Sequence, residues 1–234
     1  FFANVVSRIQ AYNMDGVNID FESLNSADRG TLINNFMSEL TNYVHTNLPG
    51  KEVSFAGPAV NWSGWNFTGL AASCDYIFIM GYDFFGSWSS TSGPSAPLYG
   101  GSYNISNTVL SQYAAVVNTT PEKLILGVPY FGTHFITTGE NPGSTVTSYV
   151  GSPRFSSCYP GSQTYGYLWH STYKVPWYKY QDGNSWHQVF FDDDSSLGLK
   201  YDLAISKNLK GIGMWALGYD SGRQELWNLI SARF

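Results

Sequence analysis

Strand and helix patterns alternate five times along this 234-residue chain. β-favouring apolar runs occur at 16–22, 52–56, 75–83, 123–130 and 211–217. Helical spacing of apolar residues occurs at 2–12, 27–47, 105–117, 196–208 and 221–232. The run at 75–83 is almost wholly apolar, as is typical of a strand buried on both faces of a parallel sheet. This alternation predicts a parallel sheet with right-handed helical crossovers in one domain over residues 1–234.

The first strand carries acids at alternate positions, in the run Asp15-Gly16-Val17-Asn18-Ile19-Asp20-Phe21-Glu22. Residues two apart on a strand share a face, so Asn18, Asp20 and Glu22 are expected to point one way and the apolar residues the other. The Cα atoms of Asp20 and Glu22 would lie roughly 6–7 Å apart, close enough for their titrations to be coupled. Paired carboxylates of this kind predict acid–base chemistry. The alternative is a solvated edge strand whose polar face meets water.

Polar residues also stand at the C-terminal ends of the later predicted strands, at Tyr82 and Asp83, Tyr130 and Trp215. A (β/α)-barrel builds its active site at these ends, so we expect a fold of that type. The stretch between Gly132 and Ser195 is too long for an ordinary connection. We expect an inserted α+β lobe over 133–195, with two or three strands around 149–192.

The charge and aromatic content point to a neutral ligand. The net charge is −5, and no basic cluster occurs, which disfavours nucleic acid or an anionic membrane as partner. Aromatic residues make up 17% of the chain and charged residues only 12%. The C–H faces of sugar rings pack on aromatic rings, so a carbohydrate partner is favoured. Candidate sugar platforms in predicted loops, with simple loop packing as the alternative for each, are Trp62, Trp65, Trp88, Trp169 and Trp186.

No metal or other cofactor is expected. Cys74 and Cys158 are too few for a thiolate metal site, and a bridge between them would have to join opposite ends of the sheet. The four histidines, His45, His134, His170 and His187, show no ligand spacing. No apolar run reaches the roughly 18 residues of a membrane span, and no signal peptide is apparent.

Taken together, these motifs resemble the family 18 glycoside hydrolases, the chitinase family. The family's Asp-x-x-Asp-x-Asp-x-Glu motif on the fourth barrel strand matches Asp15 to Glu22, and its Met-x-Tyr-Asp motif on the sixth matches Met80 to Asp83. Trp215 matches the tryptophan of the eighth strand, the floor under the reacting sugar. The segment 127–132 resembles the seventh strand, and 93–98 resembles the loop after the sixth.

The resemblance implies a retaining mechanism in which the N-acetyl group of the substrate attacks the anomeric carbon. Glu22 would be the general acid and then the general base. Asp20 would hold the acetamide N–H and stabilise the positive intermediate, and Tyr82 and Asp83 would bind the same acetamide. Asp15 would support the strand end. The residues expected to bind substrate are Asn18, Met80, Trp88, Tyr130 and Trp215.

Two departures from the family pattern stand out. Asn18 replaces an aspartate, which removes proton sharing with Asp20 but leaves a hydrogen bond to it available; we expect a changed pH profile. The chain starts with Phe1-Phe2 at the helix before barrel strand four, so only strands four to eight are expected. Such a sheet has open edges. Another chain or segment supplying strands one to three, a homodimer, or a flattened sheet would cover them.

The predicted function is hydrolysis of β-1,4 bonds next to N-acetylglucosamine, in chitin or chito-oligosaccharides. Three alternatives stay open: a peptidoglycan-directed N-acetylglucosaminidase, a lectin-like protein that binds glycan with weak or no turnover, and a barrel that processes another sugar. Retention of Glu22 favours catalysis. Because the polymers lie outside the cytoplasm, we expect a secreted or cell-wall-associated protein.

Overall fold

The computed structural model describes every residue from Phe1 to Phe234, and the chain divides into two compact units. The first unit consists of residues 1–80, 109–126 and 207–211. The second unit consists of residues 81–108, 127–206 and 212–234. None of the helices combines the length and the apolar character needed to cross a bilayer.

Ten strands and eight α-helices form the fold. The strands are β1 Gly16–Ile19, β2 Glu52–Pro58, β3 Tyr76–Met80, β4 Leu124–Pro129, β5 Thr133–Thr137, β6 Val146–Gly151, β7 Leu168–His170, β8 Val175–Asp182, β9 Ser185–Phe190 and β10 Gly211–Trp215. The helices are α1 Phe2–Ala11, α2 Thr31–Asn47, α3 Phe67–Ser73, α4 Ile105–Asn107, α5 Ala114–Val117, α6 Phe155–Tyr165, α7 Asp194–Ser206 and α8 Glu225–Arg233.

A five-stranded sheet has the order β1-β2-β3-β4-β10, with β1 and β10 at its edges. The pairs β1/β2 and β2/β3 are parallel, as the alternation of strand and helix predicts. Strand β3 is the middle strand of this sheet, and Ile77 and Ile79 on one of its faces are fully buried. Tyr76, Phe78 and Met80 on the other face are half-buried, so the burial expected on both faces is complete on only one. The predicted helix at 105–117 is present as three consecutive helical segments, α4, a π-helix at Thr108–Gln112, and α5.

The main helix of the first unit, α2, begins later than predicted. It starts at Thr31 instead of residue 27. The side chains packed in the core at helical spacing are Ile33, Met37, Leu40 and Val44. Leu32, on the adjacent stripe, is 58% exposed. Two adjacent apolar stripes occur on α2, and packing against the sheet selects one of them.

The second unit contains an antiparallel sheet of order β6-β5-β9-β8-β7, together with α6. This α+β insertion lies between β4 and β10, as predicted. Three of its strands, β7, β8 and β9, lie within 149–192, where two or three were expected, and β5 and β6 begin before that range. Its core is the cluster Phe135, Trp177 and Phe190. Buried Gln188 donates to the carbonyls of Gly139 and Asn141, both at 2.9 Å, and so fixes the loop between β5 and β6.

Candidate active site

The two predicted catalytic acids lie in a loop, not on a strand. Strand β1 ends at Ile19, and Asp20 and Glu22 follow it, both exposed. The expected alternation therefore holds only up to Ile19, which is 4% exposed. We call residues 20–30 the acid loop. One of its anchors is Phe21, whose ring lies 5.5 Å from that of Phe36 on α2.

Asn18 and Asp15 are both hydrogen-bonded to β2, the neighbouring strand. The Asn18 amide donates to Ser54 Oγ at 2.8 Å, so it is tied to the neighbouring strand β2 instead of to Asp20. Asp15 stands before the start of β1, with its carboxylate exposed and 3.6 Å from Lys51 Nζ. Its carbonyl oxygen accepts from the N–H of Glu52 at 2.9 Å, which joins the beginnings of β1 and β2. Support of the strand by Asp15 therefore comes from its backbone.

Asp83 is held in the second unit by a serine that sequence reasoning missed. The residue is exposed and has a left-handed φ of 62°. Its N–H donates to Ser95 Oγ at 3.0 Å, and the same hydroxyl lies 3.4 Å from Asp83 Oδ1. Ser95 is 2% exposed. Burial raises the pKa of nearby Tyr149, and the negative charge of Asp83 raises it further.

Tyr82 and Trp88 lie on either side of Asp83 in the chain. The Tyr82 ring meets Phe131 edge-on at 5.8 Å between centroids. Trp88 is 66% exposed. A Cβ built on Gly86 would lie 2.5 Å from the Trp88 ring, so one face of the indole rests on the backbone of Gly86. Met80, the last residue of β3, belongs to the first unit and is half-buried.

Trp215 and Tyr130 differ sharply in exposure. Trp215 ends β10 with its side chain 51% exposed, and its carbonyl accepts from the N–H of Tyr130 at 2.8 Å. Tyr130 is only 1% exposed, and burial raises the pKa of its hydroxyl. The hydroxyl of Tyr201, also buried, is near that of Tyr130. The predicted contact of Tyr130 with the sugar stays a prediction.

The remaining sequence candidates separate into exposed and packed residues. Trp62 and Trp169 are 57% and 37% exposed, whereas Trp65 packs against Phe67 with the ring centroids 6.0 Å apart. Both cysteines are free and buried, so no disulfide joins them. No group of three or more His, Cys, Asp or Glu side chains is arranged to hold a metal ion.

A second pair of acids occurs in the second unit, before α7. Asp192 and Asp193 are 4% and 3% exposed, and Lys200 is fully buried in contact with Asp192 Oδ1. Ser196 Oγ donates to Asp192 Oδ1 at 2.6 Å, and Tyr167 Oη donates to Asp193 Oδ2 at 2.9 Å. Burial raises the pKa of Asp193 and lowers the pKa of Lys200. We call these residues the buried acid cluster.

A sequence profile described as glycosyl hydrolases family 18 matches residues 1–220. The chain belongs to this family. It is 28% identical to human di-N-acetylchitobiase over 94% of the chain, and it spans 64% of the length of that relative. It is also 28% identical to the putative sporulation-specific glycosylase YdhD of Bacillus subtilis, over 94% of the chain and 51% of that protein.

Solved structures of the family share the fold. A GH18 chitinase from Cycas revoluta in complex with (GlcNAc)3 matches with a TM-score of 0.87 at 23% identity, over 100% of this chain and 72% of that one. The Group IV chitinase of Ostrinia furnacalis matches with a TM-score of 0.83 at 25% identity, over 99% and 71% of the two chains. The predicted (β/α)8-barrel type is therefore confirmed.

Proposed function

We propose that this family 18 protein hydrolyses β-1,4 bonds next to N-acetylglucosamine in chitin or chito-oligosaccharides. The observation that carries the proposal is the exposed Glu22 carboxylate, two residues after Asp20, directly beyond the strand that bears the family motif. An acid in this position is accessible to a glycosidic oxygen. The names of two relatives, a di-N-acetylchitobiase and a probable endochitinase of Caenorhabditis elegans, support this substrate class.

The proposed chemistry is retaining and substrate-assisted. Glu22 donates its proton to the glycosidic oxygen as the C1–O bond breaks, and the acetamide oxygen of the substrate forms the new bond to C1. Asp20 accepts the acetamide N–H and stabilises the positive charge of the cyclic intermediate. Glu22 then takes a proton from the water that attacks C1, which restores the acetamide and the acid. The predicted roles of Tyr82 and Asp83 towards the acetamide stay part of the proposal.

Release of a chromophore from a di-N-acetylchitobioside tests the proposal. Glu22→Gln removes the proton and keeps the shape, so we expect turnover to fall by about 100-fold or more. Glu39→Gln, an exposed glutamate on α2, is the matched control and should retain turnover. A substrate with a free amine in place of the acetamide should not be cleaved. Equal turnover in the wild type and Glu22→Gln would overturn the role of Glu22.

The main rival is a lectin-like protein, which the exposed side chains of Trp62 and Trp88 favour because indole rings pack against the C–H faces of sugar rings. Absence of turnover together with binding of chito-oligosaccharide would select this candidate. A peptidoglycan substrate is the other alternative, supported by the name of the relative called cortical fragment-lytic enzyme in Bacillus subtilis. Release of sugar from purified cell wall, but not from chitin, would identify that substrate.

The partner and location are proposed on the same basis. Strand β1 forms an edge of the parallel sheet, and an uncovered edge is a site for pairing. A chain or segment that supplies barrel strands one to three, or a second copy, would cover it. Sedimentation at several concentrations distinguishes a dimer from a monomer. A secreted or cell-wall location follows from the proposed polymer substrates and is tested by cell fractionation.

A further inference from the structure

The acid loop continues past the point where the sheet can hold it. The register of β1 with β2 ends at Ile19 opposite Phe55, three residues before Glu22. A general acid must nevertheless be held in place, because a displacement of about 1 Å can reduce a rate by about 100-fold. Some other group in the first unit must therefore fix the backbone on the far side of Glu22.

Arg29 makes this connection through main-chain carbonyl groups. Its Nε donates to the carbonyl of Leu24 at 3.0 Å, within the acid loop and two residues after Glu22. Its Nη1 donates to the carbonyls of Trp62 and Ser63 at 2.8 and 2.9 Å. One half-buried guanidinium thus joins the acid loop to residues 61–65, which we call the Trp62 loop.

The two loops also touch directly beside Arg29. Gly30 and Gly64 both have left-handed φ angles, 67° and 89°. A Cβ on Gly30 would lie 2.7 Å from the carbonyl oxygen of Gly64, and a Cβ on Gly64 would lie 2.9 Å from the carbonyl oxygen of Ser26. Only glycine permits both this backbone conformation and this close approach. The close contact between the two loops therefore requires glycine at both positions.

The Trp62 loop is itself held by hydrogen bonds from the side chain of Asn61. Asn61 Nδ2 donates to the carbonyl of Trp65 at 2.9 Å, and Asn61 Oδ1 accepts from the N–H of Ser63 at 3.0 Å. The N–H of Asn61 donates to Gln112 Oε1 at 3.0 Å. The carbonyls that Arg29 binds thus belong to a loop that is itself fixed, so the bonds restrain the acid loop.

We propose that Arg29 is a positioning residue for Glu22, acting through the carbonyl of Leu24. This inference rests on the proposed function, in which Glu22 is the acid. The planar guanidinium presents several donors in a fixed arrangement and stays charged, so it bridges carbonyls of two loops at once. A lysine in its place carries one compact charge and is expected to satisfy fewer of these carbonyls.

Three variants test the inference: Arg29→Ala, Arg29→Lys, and the control Arg8→Ala, an exposed arginine on α1 of the same unit. Activity is measured on the chromogenic di-N-acetylchitobioside, and amide hydrogen exchange is measured over residues 20–30 and 61–65. For Arg29→Ala we expect kcat to fall by about 10- to 100-fold with KM little changed, and exchange in both loops to accelerate. Arg29→Lys should lie between Arg29→Ala and the wild type. Arg8→Ala should match the wild type.

Added guanidinium ion gives a readout that a merely structural role would not produce. It should restore part of kcat in Arg29→Ala, by occupying the vacated site, and should not restore Glu22→Gln. Unchanged exchange in the acid loop of Arg29→Ala would overturn the connection whatever the activity. An active wild type with an unchanged kcat in Arg29→Ala would overturn the positioning role alone. A wild type without turnover would overturn the proposed function, and the role of Arg29 with it.

Discussion

Asp20 and Glu22 in the first unit, and Asp192 and Asp193 in the second, are two acid pairs held in opposite ways. The acids of the acid loop are exposed, and their loop is tied through its backbone by Arg29. The acids of the buried acid cluster are at most 4% exposed and bond directly to a lysine, a serine and a tyrosine. The carboxylates of the first pair stay accessible to solvent. The carboxylates of the second pair form hydrogen bonds and an ion pair with protein side chains instead.

This difference indicates which acids are available for chemistry. A buried carboxylate costs free energy unless partners replace its water, and the buried acid cluster supplies those partners. Ser196 N–H also donates to Asp193 Oδ1 at 2.9 Å, so this acid caps the beginning of α7. Every such bond fixes the acid and reduces its access to a ligand. The carboxylates of Asp20 and Glu22 in the acid loop are exposed instead and remain accessible to a ligand.

The largest effect on stability is expected from Lys200→Met. This change leaves the Asp192 carboxylate buried without its cationic partner, a situation that costs about 3–5 kcal/mol. We therefore expect the free energy of unfolding, measured with urea, to fall by about that amount. Lys207→Met, a half-buried lysine just after α7, is the control and should change it by less than about 0.5 kcal/mol. An unchanged urea midpoint in Lys200→Met would remove the contrast between the two acid pairs.

Asp20→Asn is expected to change the free energy of unfolding little and to lower kcat. The side chain is exposed, so the free energy of unfolding should stay within about 0.5 kcal/mol of the wild type. Loss of its charge should lower kcat on the chitobioside by about 100-fold, since it would no longer stabilise the cationic intermediate. Asp182→Asn, an exposed acid at the end of β8, should change neither quantity. If Asp20→Asn unfolds more easily and keeps its kcat, the acid is structural.

The parallel sheet and its helices could be predicted from the sequence because long apolar runs and helical spacing decide them locally. The end of β1 could not, because Asp20 to Glu22 continues the alternating pattern after the ladder stops at Ile19. In the insertion, β6 was harder to predict because it includes the exposed polar residues Thr147 and Ser148 and shows no apolar alternation.

The residues that hold the site were harder to predict than the acids themselves. Arg29 bonds to carbonyls 33 and 34 residues away, and main-chain acceptors leave no pattern in the sequence. Ser95 likewise reaches Asp83 across 12 residues. The buried acid cluster did have a signal, since Asp192, Ser196 and Lys200 are spaced four residues apart along one helical face. Burial of Tyr130, whose hydroxyl is near that of buried Tyr201, is not revealed by the strand pattern.

The smallest effect concerns pH and a pair of histidines on the antiparallel sheet. His134 Nε2 and His187 Nδ1 lie 2.9 Å apart, and Tyr180 Oη lies 3.3 Å from His134 Nε2. A bond between two ring nitrogens needs one donor and one acceptor, so protonation of both facing nitrogens breaks it. Burial, and secondly the neighbouring His187, lower the pKa of His134 from 6.5 to about 4.

Because the folded pKa lies below the unfolded one, the unfolded chain binds more protons between pH 6.5 and about 4. The stabilisation is fully present above pH 6.5 and is lost as the pH falls through this window. Each pKa unit is worth about 1.4 kcal/mol, and partial exposure of the pair reduces the total, so we expect a loss of about 1–2 kcal/mol. His134→Phe should flatten this part of the urea stability profile. A profile equally steep in His134→Phe would assign the pH dependence to other groups.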